Sequence, residues 1–265
     1  MMRSVFAKTL YDKRSFMLGW GIGLAALGAL MVSFYPAMHQ DGTIDALVAN
    51  MPEAFKGLIG NLEDLRSFDT YLASQLFDIR LTLIVGIMAI VLGLSLSVAD
   101  EEKGELRTLL SLPLSRSRVV RQKWLGMVTV LLVTLLGLAA GIYGVMPFID
   151  GASIEPQQML RLFAMTALMM VACGTIPFAV GIATGKRALA TGTAVLAIIG
   201  SFILSTFGQA VDWLTDYERL SLLHYFPAVE IVKGSIDLVD VAVLGGLTVL
   251  LLAVAFVRFR QRDVA

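Results

Sequence analysis

Apolar residues run through this chain in long blocks, and charged residues gather into short islands between them. Passing from one charged residue to the next leaves six extended charge-free stretches, at 15–40, 81–99, 124–149, 162–185, 188–211 and 241–257. Each is close to the roughly 17–25 residues a helix needs to cross about 30 Å of hydrocarbon. The last is the shortest, and Leu238 and Val239 carry its apolar character past Asp240. The pattern predicts an all-α integral membrane fold built as a single transmembrane domain over 1–265. Six spans are expected, at about 16–36, 79–99, 124–148, 160–184, 188–208 and 238–257. An even number of spans puts both termini on one side of the membrane.

The segments between spans carry their own patterns. Residues 1–14 place Val5, Phe6, Thr9 and Leu10 on one side, with Arg3, Lys8 and Lys13 around them, which suits a short helix at the membrane surface. The apolar run that follows is too long for the core of a signal peptide and has no convincing small-residue cleavage site, so the first span is expected to be retained. Residues 37–78 form the largest segment on the opposite face. Apolar positions there recur at helical spacing, among them Phe68, Tyr71, Leu72 and Leu76. Two or three short amphipathic helices resting on the outer leaflet are predicted, with Ser67 as the cap of the one entering the second span. The third and fourth spans, joined by a short loop, are expected to be antiparallel neighbours. Pro177 removes one backbone hydrogen bond from the fourth and is expected to kink it near Gly174 and Thr175.

Small residues mark close helix approach. Gly19, Gly21, Gly23 and Gly28 share the first span, including a Gly19-x-x-x-Gly23 spacing, and the third span carries Gly137-x-x-x-Gly141. Thr191, Thr193, Ser201, Ser205 and Thr206 give the fifth span a thin polar seam, and Gly185, Lys186 and Arg187 make a tight turn into it.

Composition agrees with the pattern. The chain is 57% hydrophobic and only 16% charged, with a mean hydropathy of +0.78, far from the roughly 45–50% apolar and about 25% charged content of soluble domains. The net charge is zero, so the placement of each sign is what informs. With the N-terminus inside, 15 of the 21 Lys and Arg residues fall in segments of that side: Arg3, Lys8, Lys13 and Arg14; Lys103, Arg107, Arg116, Arg118, Arg121 and Lys123; Lys186 and Arg187; Arg258, Arg260 and Arg262. The positive-inside rule therefore predicts cytoplasmic termini.

The longest charged island, 100–123, reads as a handle. Leu106, Leu109 and Leu110 fall at i, i+3 and i+4 beside Glu102, Glu105 and Arg107, so a short helix presents an apolar ridge until Pro113 stops it. Ser115 or Ser117 can cap the helix that follows. A plain solvated loop anchoring two spans is the simpler alternative, but it has no need of an amphipathic helix broken by proline.

Missing features narrow the function. Residues 181–187 mimic a phosphate-binding loop, yet have one residue too few between the glycines and no hydroxyl after the lysine. No charge-free stretch holds the ionisable group that ion coupling usually needs. Nucleophile, paired carboxylates and metal cluster are all unrecognisable, and His224 reads as an interfacial hydrogen-bonding residue. The single cysteine, Cys173, lies deep in an apolar run and reads as packing. The chain is therefore expected to be no enzyme, to hold no cofactor and to bind no nucleic acid.

Glu101, Glu102, Gly104, Leu109, Leu110, Pro113, Ser115 and Arg116 together resemble the cytoplasmic loop of ABC-2 type permeases, the six-helix membrane subunits of ATP-binding cassette exporters. Residues 6–10, 51–55 and 220–227 are also similar to that family, so the likeness covers nearly the whole chain. The resemblance implies a permease of a prokaryotic cell membrane, working as a homodimer or with a paralogue and docked on a separate ATPase that carries the ATP and Mg. It implies a coupling helix over 101–112, hence coupling residues Glu101, Glu102, Gly104, Glu105, Leu106, Leu109, Leu110, Pro113, Ser115 and Arg116. It also implies that the first and fifth spans meet across the dimer, where Gly19, Gly23, Gly192 and Gly200 would permit close approach. Spans without charge favour an apolar or amphipathic cargo. A non-transporting scaffold or a sensor signalling through the same loop is the alternative of a different class.

Overall fold

The structure, a computed structural model, describes residues 4–39, 67–102, 104, 115–207, 214, 216–234 and 236–262. Among the described residues every regular element is helical. A short helix α1 (Val5–Asp12) is capped by Ser4, whose Oγ accepts from Ala7 N at 3.1 Å, and leads into α2 (Arg14–His39). Next come α3 (Phe68–Leu72), a π-helical turn (Ala73–Phe77), α4 (Ile79–Leu96) and α5 (Val98–Glu102). The long α6 (Arg116–Val145), α7 (Pro156–Thr184) and α8 (Arg187–Phe207) follow. Two 3-10 turns, α9 (Ala228–Lys233) and α10 (Leu238–Gln261) complete the chain.

Five of these helices, α2, α6, α7, α8 and α10, are long and apolar enough to cross a membrane alone. Phe68–Phe77 with Arg80–Leu96 supplies a sixth span if taken together, bent by 44° at the break. The segment before that break does not rest on the outer leaflet as expected. Phe68, Tyr71, Leu72, Leu76 and Phe77 are buried in the bundle, Tyr71 Oη donates to Met31 O at 3.0 Å, and the Phe68 ring meets Tyr35 edge-on at 5.0 Å. Apolar positions at helical spacing serve a protein core as well as a lipid surface. Ser67 stands at the N-cap of α3, but its hydroxyl bonds Thr70 Oγ1 at 2.6 Å instead of capping. The other amphipathic helices expected before residue 67 lie outside the described residues.

α7 is the axis of the bundle. Of its most apolar stretch 61% is buried, against 17% in α2 and 22% in both α8 and α10, and it packs on α4, α6, α8 and α10. Small residues let α4 come close, because a Cβ at Gly93 would strike the Gly174 carbonyl, and one at Gly181 would strike Ser97 and Val98. α7 runs unbroken through Pro177.

α6 packs chiefly against α2, while its contact with α7 is smaller than a short connecting loop suggests. The seam is made of glycine: a Cβ at Gly137 would collide with Gly21, and one at Gly141 with the Ala25 carbonyl. Gly28 in turn faces Leu138 and Ile142. Thus Gly28 and the backbone of Gly21 are approached from inside the chain, while a Cβ built at Gly19, Gly21 or Gly23 has nothing within 4 Å.

The seam on α8 also has a partner within the chain. Ser201 Oγ accepts from Leu222 N at 2.8 Å, Ser221 Oγ donates to Ser201 O at 2.9 Å, and Ser205 Oγ lies 2.7 Å from Ser221 Oγ. These bonds fasten the loop before α9 to the end of α8. His224 Nδ1 lies 3.7 Å from Glu218 Oε1 in the same loop.

Candidate functional site at the charged end of the bundle

Helix ends gather at the base of the handle. α4 stops at Ser97, whose Oγ donates to Gly93 O at 2.8 Å, and α5 then carries Glu101 and Glu102. Gly104 closes a turn, its N donating to Glu101 O at 2.9 Å, and its φ of +72° is the left-handed backbone that favours glycine. The chain is described again from Ser115, which stands at the N-cap of α6 without capping through its side chain. Ser117 accepts instead from Arg260 Nε at 3.0 Å.

Both handle carboxylates described here are bound within the chain. Arg262 Nη2 donates to Glu101, and Arg262 Nη1 donates to Ile182 O at 3.1 Å, near the end of α7. Arg187 Nη1, at the start of α8, donates to Glu102 Oε2 at 2.7 Å. The two pairs differ in setting. Arg262 and Glu101 side chains are 18% and 14% exposed, whereas Arg187 and Glu102 are 61% and 46% exposed, so solvent screens the outer pair far more than the inner one.

A third arginine fixes the far side. Arg116 Nη1 donates to the Arg262 carbonyl and, at 3.2 Å, to Phe259 O, so the first residue of α6 caps the carbonyls at the end of α10. Gly185 completes the cluster. Its φ of +65° ends α7 in a left-handed cap, and the Arg262 guanidinium fills the space a side chain would take. Five helix ends, those of α5, α6, α7, α8 and α10, therefore meet through Glu101, Glu102, Arg116, Arg187 and Arg262.

One residue of the island leaves water altogether. Lys123 is fully buried and its Nζ donates to Leu96 O at 3.1 Å, placing a cation on the C-terminal carbonyls of α4. Beside it Trp124 Nε1 donates to Thr175 Oγ1 at 3.0 Å, and Val5 N of α1 donates to Gln122 Oε1 at 3.0 Å. The short helix α1 is thus docked on the first turns of α6.

Of the residues singled out for coupling, Glu101, Glu102, Gly104, Ser115 and Arg116 fall in this cluster. Glu105, Leu106, Leu109, Leu110 and Pro113 lie outside the described residues. Gly192 and Gly200 on α8, like Gly19 and Gly23 on α2, have nothing within 4 Å of a built Cβ. Pro177 lies two turns before the end of α7, where its carbonyl is 3.5 Å from Ser97 Oγ. The sequence distinguishes Arg187, Lys123 and Arg262 by sign alone, because the carbonyls and carboxylates they bind depend on which helix ends meet. A cation adjoining a span boundary, as Lys123 adjoins Trp124, is the one signal that could have singled out a buried role.

Apolar helices long enough to cross a membrane, packed through small-residue seams, define a multi-pass, all-α integral membrane protein. The chain belongs to the ABC-2 family transporter proteins, whose family model matches residues 5–264, and so takes the role of a membrane-spanning permease subunit. Comparison with curated proteins gives no match.

Proposed function

We propose that the chain is the permease of an ATP-driven exporter, moved by a separate ATPase subunit that grips the 100–123 handle from the cytosol. One observation carries this: the stem of the handle is tied by two carboxylate–arginine pairs to the ends of α8 and α10. A displacement of the handle reaches span ends through those pairs. The absence of a nucleotide loop in the sequence then requires an outside motor, supplied with ATP and Mg by the partner.

Two permease copies, or a copy and a paralogue, make up the working unit. The open faces of α2 and α8, with Gly19, Gly23, Gly192 and Gly200 uncovered in the protomer, support their meeting across it. Basic residues at the handle end support cytoplasmic termini in a prokaryotic cell membrane. The cargo is apolar or amphipathic, in keeping with spans so poor in charge. Co-purification with an ATPase, and vanadate-sensitive ATP hydrolysis by the reconstituted pair, test the proposal. Cargo movement by the permease alone would overturn it.

A further inference from the structure

A groove of about 630 Å3 opens between the start of α6 and the end of α10, at the same end of the bundle as the handle. Its lining changes character along α10. Ala253, Phe256 and Val257 form the inner part, and Arg260 stands one turn further out. Ala253 to Arg260 covers about 10 Å of helix. That is enough to run from the edge of the hydrocarbon into the headgroup layer.

Arg118 and Arg121 face the groove from α6, three residues apart and hence on one side of the helix. Arg260 is held in place by its Nε bond to Ser117 Oγ at 3.0 Å. Among the described residues no carboxylate pairs with Arg118, Arg121 or Arg260. The neighbouring Arg187 and Arg262 each have one. Three guanidinium groups beside an apolar floor call for a ligand that is an anion at one end and hydrocarbon at the other.

We infer that this groove binds an anionic glycerophospholipid of the surrounding leaflet, its phosphate held by Arg118, Arg121 and Arg260 and its acyl chains lying on Ala253, Phe256 and Val257. Basic pockets between transmembrane helices on the cytoplasmic side are a recurrent solution for such headgroups. The apolar half of the lining selects a lipid over a free phosphate. Because Arg116 of the handle cluster stands two residues before Arg118 on the same helix, a seated lipid would brace α6 against α10. The site rests only on the chain spanning a membrane and needs no ATPase, so its failure and that of the exporter proposal are separable.

The full-length protein in nanodiscs of phosphatidylglycerol and phosphatidylcholine, released for native mass spectrometry, tests this. Wild type is expected to retain phosphatidylglycerol. Arg118→Gln, Arg121→Gln and Arg260→Gln should each lower retention on the order of fivefold, and the triple variant on the order of a hundredfold. The three Arg→Lys changes together should restore most of it, which a merely misfolded bundle would not. Arg258→Gln, on the face of α10 turned toward α7, should leave retention unchanged. Equal retention by wild type and the triple Gln variant would overturn the inference, as would displacement of the lipid by millimolar inorganic phosphate. Loss of ATPase co-purification in the triple variant with lipid retention intact would also overturn it, assigning the arginines to a protein partner.

Discussion

Arg262, one residue past the last helix, donates to Glu101 at the stem of the handle, and so joins the two segments of the chain that lie 161 residues apart. The same guanidinium reaches the Ile182 carbonyl and packs on Gly185, so the end of α7 is held as well. The bond is mostly shielded from water, and its loss leaves an unpaired charge in a partly buried place, the Glu101 carboxylate or the Arg262 guanidinium according to which partner is removed. Glu101→Gln or Arg262→Gln is expected to destabilise the detergent-solubilised protein by about 1–3 kcal/mol. Glu102→Gln or Arg187→Gln, at the exposed pair, should cost no more than about 1 kcal/mol. Thermal unfolding of the four variants checks the ranking, and equal effects at both pairs would refute it.

Lys123 makes a second, sharper test of the charged end. Its ammonium group is fully buried on the Leu96 carbonyl, so truncation uncaps the end of α4 inside the protein. Lys123→Ala should cost at least about 1–3 kcal/mol. Arg258→Ala, at an exposed basic position on α10, should leave thermal stability within about 0.5 kcal/mol of wild type. A harmless Lys123→Ala would mean that the side chain reaches solvent.

The contrast between those two residues shows how far a linear pattern reaches. Charge-free runs point to the apolar helices, because a bilayer penalises each charge one by one and that penalty is local in sequence. They do not say that α6 begins eight residues before Trp124, or that Lys123 turns inward, since both depend on what packs beside the first turns of α6. Glycine spacing likewise announced close packing without naming the partner. Gly137 and Gly141 meet Gly21 and Ala25 of the same chain, a pairing between elements more than a hundred residues apart. At the handle, Glu101 and Glu102 stood out as an acidic pair, yet Arg187 and Arg262 became legible as their partners only once the helix ends were brought together.

The two kinds of glycine on α2 and α6 should therefore respond differently. A side chain at Gly141 would strike the Ala25 backbone, so Gly141→Val is expected to destabilise the protomer by about 1–3 kcal/mol. Gly23 has open space around it, so Gly23→Leu should leave protomer stability nearly unchanged and instead weaken dimer crosslinking. Crosslinking in detergent alongside thermal unfolding separates the outcomes. Unchanged dimer yield in Gly23→Leu would remove Gly23 from the proposed interface.

The handle itself allows the exporter proposal to be tested where it is most exposed. Glu102→Ala together with Leu109→Ala should cut ATPase binding or coupled transport while the protein still inserts in the membrane. Glu102 is bound to Arg187 in a screened pair, so its removal alone should perturb the fold little. Leu109 belongs to the apolar ridge that the sequence spacing predicts, and losing a leucine buried in a partner would cost roughly 2–5 kcal/mol. Most of the defect should therefore come from Leu109→Ala, measured as ATPase retained on the purified permease. If the single Glu102→Ala change produced the whole loss, the carboxylate and not the ridge would be the contact. If the double variant transported cargo at the wild-type rate, the motor would have to push elsewhere.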